Sequence, residues 1–462
     1  MASRPTRLLI TAGLVAGLPV ASGLAQDRPS AAPPPPTDMA AEPGVDPEAT
    51  FLSTSLGISL EEARGRRDIM SRIGALVQRA QAEDDSFAGV WVEQQPAFRI
   101  IVAFADQEDR QQFLQSLDPA LRRYVQLRHV RAKAETERAE LEEIFGALRG
   151  KGEDFTVSFN PKNQKYEVLV GEQANSQSVL SMVPPRLRSL VVVNRGPVPV
   201  DVQSNVSPGD RVHAGWDALT AEGYYACTFG FAGVNVNNRP AISTAGHCLA
   251  QQPKVTKSTD PGAYVTLPAP FAERQQDTYD FQLHEAVGLD PGYWVWFQNS
   301  KPVRGYESYV NYVPGYHSSG YFTVSAAAPY KINNGEHWVH RPVCKYGSRT
   351  GFTCGYISAS YVYGEADGRP FSGMVRVNRS SQRIIAFSGD SGGPVFSPPN
   401  AQYDLVALGI MKSAQAHVNA DGSARPCVNG TGYDCGYFYM PIDRIDHDGR
   451  IDLYTTLGLV RP

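Results

Sequence analysis

The spacing of apolar residues changes several times along the chain, and each change predicts a different kind of structure. Leu8 to Ala21 is an apolar, small-residue stretch behind Arg4 and Arg7. Residues 26–49, with Ala31-Ala32-Pro33-Pro34-Pro35-Pro36, show no apolar periodicity and read as a flexible or polyproline linker. Ser59-Leu60-Glu61-Glu62 is a capping box, in which the serine hydroxyl takes an amide three residues on and Glu62 reaches back. Behind it Ala63, Ile69, Ile73, Leu76 and Val77 recur at helical spacing. Gly89 to Phe104 alternates and is rich in Val, Ile and Phe, which predicts strands. Residues 118–148, through Leu121, Leu127, Val130, Leu141, Ile144, Phe145 and Leu148, predict a charged amphipathic helix. Two strands around an Asn160-Pro161-Lys162-Asn163 turn and a last strand, Leu187 to Val193, complete an α+β unit. Beyond residue 200 the pattern becomes a long run of short strands.

Composition sharpens this division. The 462 residues allow two or three domains. The 42 Gly and 34 Pro suit a turn-rich β architecture. Residues 1–200 carry 23 Lys/Arg and 25 Asp/Glu, whereas the longer remainder carries 20 and 22. Only Tyr124 and Tyr166 of the 22 tyrosines precede residue 200, and all six cysteines lie between Cys227 and Cys435. The net charge of −4 offers no electrostatic case for nucleic acid. No apolar run approaches the roughly 20 residues of a helical membrane span. We therefore read 1–25 as a signal peptide with small residues at Gly23-Leu24-Ala25, 26–49 as a linker, 50–200 as an α+β region and 201–462 as an all-β domain.

Export gives the cysteines their meaning. In an oxidising compartment an even number reads as disulfides, and the spacings favour local pairs: Cys227 with Cys248, Cys344 with Cys354, Cys427 with Cys435. Six cysteines allow about fifteen connectivities, so spacing alone leaves the pairing open. No Cys or His spacing supports a zinc site, and we expect no metal.

Three motifs carry chemistry: Thr244-Ala245-Gly246-His247-Cys248, Tyr279-Asp280-Phe281-Gln282-Leu283, and Ser388-Gly389-Asp390-Ser391-Gly392-Gly393-Pro394. A serine hydroxyl is a poor nucleophile near neutrality and needs a neighbouring base. Histidine titrates in that range, and a carboxylate on its far nitrogen fixes the tautomer. Glycines around a serine let backbone amides, here those of Gly389 and Ser391, converge on a developing oxyanion. Each motif alone has a structural explanation; the three together in a secreted β-rich chain do not.

These motifs resemble the signatures of chymotrypsin-like serine peptidases. Val343-Cys344-Lys345-Tyr346-Gly347-Ser348-Arg349-Thr350-Gly351-Phe352-Thr353-Cys354-Gly355 and the spacing of Cys227 to His247-Cys248 resemble the bacterial alpha-lytic protease and streptogrisin group. The resemblance implies two six-stranded antiparallel β-barrels with a cleft between them, preceded by a pro-region that assists folding and then inhibits. It implies His247 as general base then acid, Asp280 as the orienting carboxylate with Asp277 as rival, and Ser391 as nucleophile. It implies that Ile385, Ala386, Phe387, Met411, Lys412, Ser413 and Ala414 line the primary specificity pocket. No Asp stands where a basic-residue-specific pocket would carry one, so an apolar P1 residue is expected, with Lys412 as a complication.

The chain departs from the group's pattern in three ways. No cysteine shortly precedes Gly389-Asp390-Ser391, which implies Cys427–Cys435 as the third bridge. Residues 290–340 are long and aromatic and suggest an insertion near the cleft. No Ile-Val-Gly-Gly start is visible near the boundary, so Asp390 needs an internal cation, for which Lys345 is the first choice and Arg349 the second. The processing site is expected between Gly196 and Gly215. The expectation is thus a secreted, monomeric, cofactor-free serine endopeptidase made as a zymogen, acting on polypeptides and bound by its own pro-region. Two other readings stand beside it: a catalytically silent binding protein on the same fold, and an esterase, because Gly389–Gly393 also fits G-x-S-x-G with His417 or His447 downstream.

Overall fold

The structure is a computed structural model. It describes residues 46–200, 204–205, 217–219, 225–248, 254–257, 260–276, 278–288, 294–299, 312–314, 316, 319–327, 337–366, 368–379, 384–387, 389–418, 424–426, 436–445, 451–455 and 458–460. The expected signal peptide, most of the expected linker, Asp277, Ser388, Cys427, Cys435 and His447 lie outside the described residues.

The front region is α+β and has two cores. Asp46 caps a first helix, Pro47–Leu56, by accepting the Ala49 amide. The linker assigned to 26–49 therefore ends before Pro47, because an Asp-Pro start is itself a helix signal. Ser59 caps Leu60–Met70 by accepting the Glu62 amide at 3.1 Å. The helical spacing through Val77 is served by two helices, since the chain breaks at Ser71-Arg72 and resumes as Ile73–Glu83. Their apolar faces pack on a sheet of Phe87–Glu93, Arg99–Phe104 and Val125–His129.

The single helix expected over 118–148 is corrected: Pro119–Arg122 is a short turn of helix, Val125–His129 is a strand, and only Ala134–Leu148 is the amphipathic helix. Parallel pairing of Val125–His129 with Ile100–Phe104 overrides its helical pattern. The second core joins Ala134–Leu148 to Phe155–Asn160, Lys165–Val170 and Val191–Arg195. The last of these starts later than Leu187, after a 3-10 turn at Arg188–Leu190.

The back region is strand-rich, as the short alternating segments require. Hydrogen bonding among the described residues does not outline two separate six-stranded units. It gives a five-stranded sheet, a six-stranded sheet and a thirteen-stranded sheet. The six-stranded sheet contains Pro240–Thr244 and Tyr279–Glu285. The largest contains Pro342–Gly347, Gly351–Ala366, Arg369–Arg379, Pro394–Phe396, Asp404–Val418 and Gly436–Pro441.

This largest sheet grows because front-region strands join it. Phe155–Val157 pairs antiparallel with Tyr363–Glu365 on the hairpin Gly351–Ala366/Arg369–Arg379. Gly364 has no room for a side chain there, since a Cβ would sit 2.4 Å from the Phe155 carbonyl. Tyr363 donates to Glu142 at 3.0 Å, and the Gly150 amide donates to Glu365 at 2.9 Å. A second junction is the pairing of Val198–Val200 with Ala414–Ala416, also antiparallel. At a third, His340 Nδ1 lies 2.5 Å from the Val92 carbonyl.

Candidate active site

His247 lies on a short 3-10 turn, Gly246–Cys248, directly after the strand Pro240–Thr244. The Cys227–Cys248 disulfide ties this turn to Tyr225–Thr228. Gly246 is required by space: a Cβ would meet the Arg274 carbonyl at 2.7 Å and the Phe281 amide at 2.9 Å. Asp280 comes from the neighbouring strand, Tyr279–Glu285, which is buried on both faces from Asp280 to His284, so its carboxylate is as dry as the apolar side chains of Phe281 and Leu283.

The two residues meet twice. The His247 backbone amide donates to Asp280 Oδ1 at 2.8 Å, and the ring Nδ1 lies 2.7 Å from Oδ2. With Nδ1–H as donor to the carboxylate, Nε2 is left as the basic nitrogen. The Asp280 amide donates to Met440 Sδ at 3.2 Å. Burial alone would push the Asp280 carboxyl up. The charges of His247 and Lys412, with the two hydrogen bonds from His247, more than reverse this and hold it at about 2.

Ser391 sits in a tight loop between Phe387 and the strand Pro394–Phe396. Two glycines give the loop its shape, with φ of 102° at Gly389 and 84° at Gly392. The loop rests on the histidine side of the site. The Thr228 amide donates to the Ser391 carbonyl at 2.7 Å, and Thr228 Oγ1 donates to the Gly389 carbonyl at 2.9 Å. A Cβ on Gly392 would fall 2.3 Å from Thr244 Oγ1 and 2.7 Å from the Ala245 amide. Ser391 Oγ itself donates to the Lys412 carbonyl at 3.1 Å.

Asp390, beside the serine, is wholly buried against Lys345, whose Nζ is 2.9 Å away. Its carboxylate also accepts Thr350 Oγ1 at 2.6 Å and the amides of Arg349, Thr350 and Phe387 at 2.9–3.0 Å. Burial pushes the Asp390 carboxyl up, but the Lys345 charge and the Thr350 hydroxyl bring it below the ordinary carboxylate range. Arg349 reaches Asp390 through its backbone amide. The Cys344–Cys354 disulfide clamps the hairpin that carries Lys345 and Thr350.

Of the residues assigned to the specificity pocket, Ile385, Ala386, Met411 and Ala414 share one apolar cluster with Val343, Ile357, Val375, Tyr437 and Tyr439. Ser413 is fully buried in the same stretch, and its hydroxyl has no hydrogen-bond partner among the described residues. Lys412 is different. The ladder to Gly436–Pro441 skips it: Met411 pairs with Tyr439 and Ser413 with Phe438. Such a bulge re-aims the extra side chain. The Lys412 ammonium comes 3.7 Å from Asp280 Oδ2 and 5.0 Å from the Phe371 ring centroid.

Among the described residues the esterase geometry is not formed. A strand, Pro394–Phe396, follows Ser391 where that fold needs a helix, and His417 Nδ1 lies 2.5 Å from Glu172 of the front region. Sequence reading missed Thr228, Thr350 and Met440, whose contacts come from distant strands and leave no local signature.

No protein-family model matches the sequence, and a comparison with curated proteins finds no match. Solved structures similar to the chain are bacterial chymotrypsin-like serine proteases. The Nocardiopsis protease is 19% identical with a TM-score of 0.34, covering 52% of this chain and 98% of its own. Thermobifida fusca protease A is 18% identical at 0.33, covering 54% of this chain and 99% of its own. A glutamic-acid-specific serine protease is 20% identical at 0.34, covering 53% and 100%.

Proposed function

We propose that the chain is an exported serine endopeptidase made as a zymogen, with His247, Asp280 and Ser391 as its triad. The observation that carries this reading is the doubly hydrogen-bonded, buried His247–Asp280 pair beside a serine loop shaped by two left-handed glycines. In this mechanism Nε2 of His247 takes the Ser391 proton as Oγ bonds to the scissile carbonyl carbon. The amides of Gly389 and Ser391 stabilise the resulting oxyanion. The imidazolium then protonates the departing amine as the C–N bond breaks. Water, deprotonated by the same ring, hydrolyses the acyl-enzyme and restores Ser391. No step calls for a cofactor.

The apolar cluster that holds Ile385, Ala386, Met411 and Ala414 supports a preference for an apolar P1 side chain, and Lys412 approaches Asp280. The front region acts as the pro-region. Its strand addition to the hairpin supports a folding role, since it supplies non-local pairing that a β-rich chain finds slowly. Its strand Val198–Val200 lies antiparallel to Ala414–Ala416, as an extended peptide substrate would, which supports inhibition. We expect processing between Gly196 and Gly215, which N-terminal sequencing of the secreted product would locate.

The deciding experiment is reaction with diisopropyl fluorophosphate. The reading requires one phosphoryl group per chain on Ser391 and none in Ser391→Ala. Failure of the secreted wild type to react would leave the binding-protein reading in its place.

A further inference from the structure

We propose that Lys412 is a positioning residue of the triad: its ammonium shares the Asp280 carboxylate with His247 and so sets the pH at which the imidazole gains its proton. This rests on the peptidase reading above. Three independent features place the lysine there. The bulge at Met411/Ser413 expels Lys412 from the ladder. Its side chain is 5% exposed and ends 3.7 Å from Asp280 Oδ2, the same oxygen that receives His247 Nδ1 at 2.7 Å. The Phe371 ring covers the ammonium on another side at 5.0 Å. A carboxylate and an aromatic face both favour a charged lysine.

The consequence follows from charge arithmetic. One buried carboxylate beside one imidazole holds the imidazolium strongly. A second cation on the same oxygen cancels much of that attraction, so the imidazole loses its proton more readily and stays a base in more acidic water. The same ammonium helps keep Asp280 ionised.

Other charges near the pair are engaged elsewhere. Arg274, on the strand beside Asp280, lies over the Tyr279 ring. Arg444 donates to the carbonyls of Thr278 and Ser372. Glu273 accepts from Gln282, and His284 Nδ1 contacts the Pro268 carbonyl. Gly436–Pro441 offers Met440 Sδ, and Arg369–Arg379 offers Phe371. Ser391 contributes a hydroxyl bonded to the Lys412 carbonyl.

The test follows the rate of diisopropyl fluorophosphate reaction against pH for the secreted product of the full chain. The rate falls on the acid side as His247 becomes protonated. Lys412→Met should raise the midpoint of that fall by about one pH unit, while Lys412→Arg keeps it near wild type. A direct nuclear magnetic resonance titration of the His247 ring in Ser391→Ala and in Ser391→Ala with Lys412→Met should show the same displacement. If the methionine variant does not fold, Lys412→Gln takes its place in both measurements. An unmoved midpoint in folded, reactive protein overturns the proposal. A wild type that never reacts overturns the peptidase reading instead, and the ring titration still reports on the lysine.

Discussion

The front and back regions use charge in opposite ways. Several front-region ion pairs lie at the surface: Arg72 with Asp118 at 2.5 Å has side chains 44% and 50% exposed, and Arg79 with Glu83 is similar. Such pairs gain little, because water screens them and ordering two long side chains costs entropy. In the back region the pairs that matter are dry. Lys345 and Asp390 are 0% exposed, and Lys412 and Asp280 are nearly so. A dry pair is costly to break, because one partner's removal strands the other in a medium that cannot solvate it.

The contrast extends to titration. Burial dominates at Glu137 in the front region, raising its carboxyl to about 8 despite nearby Arg131. At Asp280 and Asp390, partners overcome burial and lower it. The lesson is that a buried carboxylate is a stabilising or destabilising group according to whether the fold brings it a cation.

The strongest way to break the contrast is Lys345→Met. It leaves Asp390 buried without its cation and should cost about 3–5 kcal/mol in chemical denaturation, with loss of fluorophosphate labelling. A cost near that of a surface pair would erase the distinction. Adding Asp390→Asn should return part of the loss, because the stranded charge is gone.

Next in size is Gly392→Ala. Its φ of 84° and a Cβ 2.3 Å from the Thr228 carbonyl and Thr244 Oγ1 leave no accommodating backbone shift. The expected loss is on the order of 1–3 kcal/mol together with Ser391 reactivity, read by denaturation and labelling. Wild-type labelling in this variant would show that the loop is softer than its packing implies.

A smaller effect separates the regions by pH. A carboxyl raised in the folded state contributes stability below its unfolded value near 4.5 and loses it as pH climbs through about 8. A carboxyl lowered to about 2, as at Asp280, contributes above its unfolded value near 3.8 and loses it as pH falls toward 2. Glu137 lines a cavity of about 120 Å³ with Trp91 and Leu141 of the front region and His337 and Tyr361 of the back. Glu137→Gln, in a Ser391→Ala background, should therefore flatten the decline between pH 5 and 8 by on the order of 1 kcal/mol and leave the acid-side decline untouched. Equal slopes in both variants would remove Glu137 from the explanation.

The smallest expected effect is Arg72→Ala, whose exposed pair with Asp118 should change stability by no more than about 0.5 kcal/mol. A larger loss would mean that the front region's surface charges form a network rather than isolated pairs.

Local signals were read well where a short stretch of chain decides the outcome. The Ser59 cap, the turn at Asn160–Asn163 and the closely spaced cysteine pairs Cys227–Cys248 and Cys344–Cys354 are all of this kind. Reading failed where pairing with a distant strand outweighed local preference. Val125–His129 looked helical by its neighbours and became a strand against Ile100–Phe104. The helix at Pro47–Leu56 was hidden behind a proline-rich approach.

The site divides along the same line. Motifs singled out His247, Asp280 and Ser391 as candidates, because each motif keeps its chemistry within a few residues, and the family resemblance pointed to Lys345 as the partner of Asp390. Which way Lys412 points could not be named. Its direction depends on a bulge between two strands, and on a carboxylate more than a hundred positions away. Residue order therefore marked out the candidate reactive groups and the local turns that hold them. The burial of charges and the docking of the front strands were settled only when distant segments met, because desolvation and sheet pairing belong to contacts that no stretch of chain contains alone.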